Sequence, residues 1–344
     1  MSCFWDGGLD KINVLLRFFC LFVTMNELQA IREIKGKRFL FRAETSSNSE
    51  DYKKFEELRY SIWGEPNDNL AGTRNMICEN YFHDGNCLFI GCYAEDDHGR
   101  FLEGSSSFVG FSYGFVGVLD KAVGFRRLDN IVFYSQYTAV KTEHQNYGLG
   151  ILIKEFQKDI LTGIFGIYTV TCTYDPLISV NAYRNIHHFG MDILEYKPVC
   201  YEEFTGNLNR ADVPCDRFYL RWDLKRKILK PAYDLEALLD AGQVVIQSDL
   251  ADVKVKDRIL ELEIVAEVNL ELDHEFLLLE IPFNFYRMLQ ETDVKDSRVR
   301  QIPIEWRMKT RAAFQELFRR GYKVIDFGKI TKHRRNRDFY VLKR

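Results

Sequence analysis

The stretch Gln145-Asn146-Tyr147-Gly148-Leu149-Gly150 limits the folds open to this chain more than any other. It follows an apolar run ending at Val140 and opens the amphipathic segment Ile151 to Leu161. Glycines at this spacing let the backbone turn tightly and bring its N–H groups, unscreened by side chains, to the start of a helix. The helix dipole there favours phosphate oxygens, so the placement points to an anion loop, with a pyrophosphate as the ligand. Short Gly-x-Gly pieces also occur in ordinary turns, and the neighbouring pattern has to separate the two readings.

That pattern is a β-loop-α-β unit inside a mixed α/β block. Phe39 to Ala43 reads as a strand and Ser49 to Trp63 as a helix with Ser49 as its cap. Leu88 to Ala94, Ser107 to Val118 and Asn130 to Val140 read as successive strands of a meander. Gly166 to Thr173 is a strand that the intervening helix makes parallel to the one before the glycine loop. Ser179 to Phe189 is helical in pattern and stopped by Gly190, a strand lies near Met191 to Glu195, and Arg217 to Asp223 closes the block. The charged linker Lys225 to Lys230, ending at Pro231, sets a domain boundary. The expected division is therefore an extension over 1–24, a first domain over 25–224 and a second over 225–344. The second domain echoes the first. Phe276 to Pro282, a helix from Glu305 to Arg320, Tyr322 to Phe327 and Asp338 to Leu342 follow the same order of elements, as a partial duplicate without its own glycine loop.

At 344 residues with 46% hydrophobic content, including 27 Phe and 18 Tyr, the chain can bury a sizeable core. A formal charge of -3 removes the electrostatic case for a dedicated nucleic-acid or membrane-surface protein. Lys332 to Arg337 is a basic run that a solvated hairpin explains. The eight cysteines are scattered, which reads as free thiols in a reducing, cytoplasmic setting. Cys78, His83, Cys87 and Cys92 invite a zinc reading, but no Cys-x-x-Cys pair is present and positions 87 and 92 would face opposite sides of a strand, so no metal is expected. Ile12 to Val23 is too short for a bilayer and carries Arg17 in its middle. Met25 begins what reads as an ordinary polar N-terminus.

A meander, a strand ending in this glycine loop on a helix, a parallel strand and a short helix together resemble the GNAT superfamily of acyl-CoA-dependent N-acyltransferases. The loop matches its Gln/Arg-x-x-Gly-x-Gly/Ala signature. Thr173-Tyr174-Asp175-Pro176-Leu177, Asn181-Ala182-Tyr183-Arg184-Asn185 and Asp216-Arg217-Phe218-Tyr219-Leu220-Arg221-Trp222 are similar to a bacterial subgroup of predicted acetyltransferases. So are Glu280-Ile281-Pro282 and Thr310-Arg311-Ala312-Ala313-Phe314, and the resemblance covers nearly everything after about Arg38.

The resemblance implies a GNAT fold, an α/β (α+β) mixed sheet with a splayed parallel strand pair, followed by a C-terminal β-α-β-β unit. It implies acetyl-CoA or another acyl-CoA as co-substrate and the amine of a small molecule or amino acid as acceptor. A homodimer is left open. Backbone groups of Thr138, Ala139 and Val140 would pair with the pantetheine arm. The amides of Gln145, Asn146, Tyr147, Gly148, Leu149, Gly150 and Ile151 would hold the pyrophosphate, and an amide near Val140 would polarise the thioester carbonyl. Asn181 and Asn185 would touch the pantetheine, or else make local turn bonds. Glu143 or Asp175 would be the base, Asp175 being equally an Asp-Pro turn that caps a helix. Ile186 stands where the family usually has a tyrosine acid, with Tyr183 nearly one turn earlier as acid or packing residue. His187 and His188 end a helix, where an imidazolium suits the dipole. The alternative function is a non-catalytic acyl-CoA-binding regulatory protein.

Overall fold

The structure, a computed structural model, describes residues 28–46, 48–64, 86–201, 206–255, 258–332 and 335–344. The N-terminal extension, Met25, Cys78, His83 and residues 333–334 of the basic run lie outside the described residues. The described residues gather into two compact units, the first drawn from 28–58, 86–115 and 137–166, the second from 59–64, 116–136 and 167–344. The linker at Lys225 to Pro231 thus falls inside the second unit.

The first unit is built on strands β1 (Gln29–Ile34) and β2 (Lys37–Ala43), helix α1 (Lys53–Trp63, its first half), and strands β3 (Cys87–Ala94) and β4 (Phe108–Val118, up to Phe115). Antiparallel pairing runs β1-β2-β3-β4. The end of β5 (Ile131–Val140) and helix α2 (Leu149–Ile160) complete it. Strand β1 has no counterpart in the sequence reading: its residues Gln-Ala-Ile-Arg-Glu-Ile are only half-buried, as suits an edge strand. Its hairpin turns on Lys35 and Gly36, both at positive φ (52° and 75°), the geometry that matches strand twist. Strand β3 is buried on both faces, so Cys87 and Cys92 are both interior. Phe55 of α1 sets its ring edge-on against Phe111 and Tyr113 at 4.6 and 5.2 Å. Phe111 and Tyr113 are thereby core residues. The cap ahead of α1 is Asn48 rather than Ser49, its side chain accepting from the Glu50 amide at 3.1 Å and a 3₁₀ turn leading into the helix.

In the second unit the first half of β5 runs parallel to β6 (Thr169–Tyr174) through Phe133↔Val170 and Tyr134↔Thr171. Next come α3 (Ser179–Ala182), a wider π-type turn over Tyr183–His188, and strands β7 (Asp192–Tyr201) and β8 (Cys215–Asp223). β8 inserts antiparallel between β6 and β7. A second sheet follows a short helix α4 (Leu235–Asp240): β9 (Val244–Val255), β10 (Arg258–Val268), β11 (Phe276–Ile281), helices α5 (Phe285–Glu291) and α6 (Ser297–Arg319), then β12 (Lys323–Lys332) and β13 (Arg335–Lys343), in spatial order β10-β9-β11-β13-β12. β9 is parallel to β11, and β13 lies antiparallel between β11 and β12. This repeats the β5-β6-β8-β7 arrangement, with a β-hairpin replacing the glycine loop and helix.

The two sheets of the second unit are joined by buried polar and aromatic contacts. The Tyr174 and Tyr340 hydroxyls are 3.0 Å apart, and Tyr340 donates to the Pro176 carbonyl at 2.7 Å. Phe218 of β8 packs on Phe314 of α6 at 4.8 Å. Arg311 grips Asp216 with two bonds of 2.9 and 2.7 Å. In the basic run, Arg337 binds the buried Glu280 through two 2.8 Å bonds and Arg335 reaches Glu263, so a solvated hairpin describes neither arginine. Among the described residues no helix is long and apolar enough to cross a membrane.

Candidate anion loop and acyl-transfer residues

β5 delivers the chain into a tight turn, Thr142–Tyr147, that ends at Gly148. Gly148 is left-handed (φ 70°, ψ 17°) and serves as the N-cap of α2 without a capping side chain. No atom lies within 4 Å of where its Cβ would be, so backbone conformation alone calls for glycine here. The Ile151 amide donates to the Gly148 carbonyl at 3.0 Å and the Gly148 amide to that of Gln145 at 3.4 Å. The first helical amides, on Leu149 and Gly150, are the ones that helix geometry leaves for an outside acceptor. Compared with the expected cradle from Gln145 to Ile151, the open part is therefore narrower. The Gln145 side chain donates back to the Val140 carbonyl at 3.4 Å.

The loop is seated by aromatic and cationic neighbours within the first unit. The Tyr147 ring packs on buried Phe39 at 5.1 Å. Lys35 lies above the Tyr147 ring and donates to the Asn146 carbonyl at 2.7 Å. Lys141 donates to the Ser105 carbonyl at 3.1 Å. Burial, then the Lys37 charge, holds the His144 imidazole below its usual range, with Glu143 opposing and Lys141 adding to the fall. This is a positive field at the N-terminus of a 12-residue helix. Lys35 and Lys37 were missed in the sequence because β1 was missed; the Lys35-Gly36 pair, a hairpin-turn dipeptide between two half-apolar runs, was the available signal.

Under the loop, the hydroxyl of Ser112 on β4 accepts from Thr138 of β5 at 3.1 Å and from Gln157 of α2 at 3.0 Å. Ala139 is buried, and its carbonyl lies only 3.0 Å from where a Cβ at Gly110 would be. Glycine at 110 is what lets β5 approach β4 there. Glu143 is exposed on the turn.

The first unit also holds a pocket of about 580 Å³ whose lining includes Arg42, Glu44, Asp51, Lys54, Glu103 and Ser105. Arg42 bonds both oxygens of Glu103 at 2.8 and 2.7 Å, which draws the Glu103 carboxyl below its usual range. Buried Glu44 accepts from the Tyr93 hydroxyl, and burial pulls the Lys54 ammonium down. Ser105 belongs to this lining and also holds Lys141, which connects the pocket to the strand end that carries the loop.

The remaining expected residues lie in the second unit. Asp175 is buried; both its oxygens bind Arg307, at 2.8 Å for Oδ1, and Oδ1 also accepts from the Leu177 amide at 2.9 Å. The local turn bond is present, but α3 starts after Ile178 with no side-chain cap, so Asp175 does not cap the helix, and a fully buried guanidinium balances its charge. Arg184 takes the side-chain oxygens of Asn181 and Asn185, at 2.8 and 3.3 Å, so both asparagines have local partners. Tyr183, 37% exposed, stacks on His187 at 4.7 Å and carries Lys329 over its ring. Ile186 is 3% exposed and packs in the core. Among the described residues no group of His, Cys, Asp and Glu could hold a metal ion.

A meander into β5, a glycine turn onto α2, a parallel β6 and the β8-between-β6-and-β7 ending are now in view. These elements follow in the order the sequence leads one to expect, with a further C-terminal sheet. No family model and no curated protein matches the chain. Among solved structures it is similar to Arabidopsis thaliana NAA60 in complex with a bisubstrate analogue, at 11% identity and a TM-score of 0.40, over 54% of this chain and 98% of that one. It is similar to the ribosomal-protein-S5-alanine acetyltransferase of Vibrio fischeri at 10% identity and a TM-score of 0.40, over 58% and 100%. Salmonella typhimurium yncA, solved with its cofactor acetyl-CoA, gives 15% identity and a TM-score of 0.39, over 57% and 99%. Likeness at this level says nothing of substrate.

Proposed function

We propose that this protein is an acyl-CoA-dependent N-acyltransferase that moves an acyl group, such as acetyl, to the amine of a small molecule or amino acid. One observation carries the reading: a left-handed, uncapped Gly148 opens a 12-residue helix in a field of lysines. In this proposal the Leu149 and Gly150 amides bind the CoA pyrophosphate, Lys35 and Lys141 screen its charge, and the backbone of Thr138, Ala139 and Val140 holds the pantetheine. The amine nitrogen attacks the thioester carbonyl carbon; the C–N bond forms, the C–S bond breaks, and CoA leaves as a thiolate that takes up a proton. Glu143 accepts the amine proton through water. Asp175 is left out because Arg307 neutralises it, and Tyr183 because its ring is engaged by His187 and Lys329. The pocket around Glu44 and Glu103 suits an amine, since its full lining carries five carboxylates against three cations.

The test pairs calorimetric titration of CoA with a CoA-release assay over an amine panel. Gly150→Asp should weaken CoA binding at least about tenfold, or roughly 1.4 kcal/mol, through charge repulsion at the pyrophosphate. Absence of saturable CoA binding to the unaltered protein would overturn the proposal. The second reading, an acyl-CoA-binding protein without turnover, is favoured by the buried Ile186 at the usual acid position. Binding without CoA release for any amine would select it.

A further inference from the structure

His187 does more than end a helix. Its Nδ1 lies 2.8 Å from Oδ1 of Asp326 on β12, and Tyr233 donates to Oδ2 of the same carboxylate at 2.9 Å. Asp326 is 4% exposed and also accepts from the Phe327 amide, so it is held on every side and fixes the imidazole plane. One turn earlier Tyr183 stacks on that imidazole, and Lys329 reaches across the Tyr183 ring to donate to Ser179 at 2.9 Å. Asp338 stands behind Lys329 at 3.7 Å and is 1% exposed.

These groups border a cavity of about 570 Å³ lined by Tyr183, His187, Tyr233, Leu235, Phe327, Gly328 and Lys329. The lining contains no carboxylate. Asp326 and Asp338 pair with His187 and Lys329 from behind it, so the lining carries one lysine, one histidine and two tyrosines beside apolar residues. Gly328 belongs to the same construction, for a Cβ there would meet Leu235 at 2.7 Å, so glycine is what lets this wall close. A space of this size with one cationic corner and aromatic walls is built for a small anion with an apolar body.

We propose that this cavity binds a small aromatic carboxylate, with its carboxylate on the Lys329 ammonium and the His187 imidazole and its ring against Tyr183, Tyr233 and Leu235. The site lies wholly in the second unit and stands or falls apart from CoA binding.

The test titrates the full-length protein, free of CoA, with benzoate by calorimetry, with benzylamine and benzyl alcohol as matched probes. Saturable one-to-one binding of benzoate, weaker or absent binding of the other two, and a loss of at least about tenfold in Lys329→Met are expected. Should Lys329→Met not fold, NMR of the unaltered protein decides: the His187 imidazole signals, assigned by their loss in His187→Gln, must shift as benzoate is added. No saturable benzoate binding, benzylamine binding more tightly than benzoate, unchanged affinity in a folded Lys329→Met, or stationary His187 signals at saturating benzoate would each overturn the proposal.

Discussion

Arg307 holds Asp175 with two bonds while almost no water reaches either group. Truncation to Met would strand the carboxylate in the interior, and breaking a buried pair from one side costs about 3 to 5 kcal/mol. Arg307→Met should therefore be the more destabilising change, and Arg307→Met with Asp175→Asn should recover part of the loss, as read by urea unfolding of both variants. Asp212 offers a pH-dependent counterpart. The Arg210 hydrogen bond, then that of Arg300, draws its carboxyl down to about 2 against the cost of burial. A carboxyl lowered by folding adds stability above its unfolded range, and that stability fades as the pH falls through the folded value. Unfolding free energy should drop more steeply for the unaltered protein than for Asp212→Asn between about pH 5 and pH 2. At this scale the sequence was legible only locally. The Asp175-Pro176 turn could be read because its bond lies two residues on, whereas Arg307 sits 132 residues away and such a pairing leaves no local pattern. Arg184, by contrast, is three residues from Asn181 and next to Asn185, and the local-bond reading of the two asparagines describes these contacts.

Elements with a clear period or a strong breaker were legible, and those with neither were not. β2 to β8 and β11 to β13 appeared where apolar runs met turn residues. β9 and β10 did not, because their charged residues are spread along both strands and much of β10 stays in water. The expected helix from Glu305 begins earlier, at Ser297, since Pro303 is accommodated inside α6 rather than ending it. The true start is marked by Asp296, whose side chain accepts from the Arg298 amide at 2.9 Å. Asp296→Ala should lower the melting temperature, while Asp296→Ser should lose far less. Thermal unfolding of the two variants side by side would check it.

At the scale of the whole molecule, a chain cut after Leu224 would keep the glycine loop yet lose Arg307, Phe314 and Tyr340, the partners of Asp175, Phe218 and Tyr174. Such a fragment should bind a hydrophobic dye, unfold without a cooperative transition and aggregate on concentration; a soluble fragment with a sharp melt would contradict this. The order of β6 to β8 and of β11 to β13 was readable from the sequence, including the echo of the first in the second. That the second packs on the first through β6, β8 and α6 was not, because local periodicity shows which face is apolar and never what covers it. The Tyr174–Tyr340 hydroxyl pair has one further consequence. A change in either tyrosine alters the packing volume and hydrogen bonding of the other, so the two halves cannot drift independently. In any lineage carrying this chain, positions 174 and 340 should change together or remain as they are.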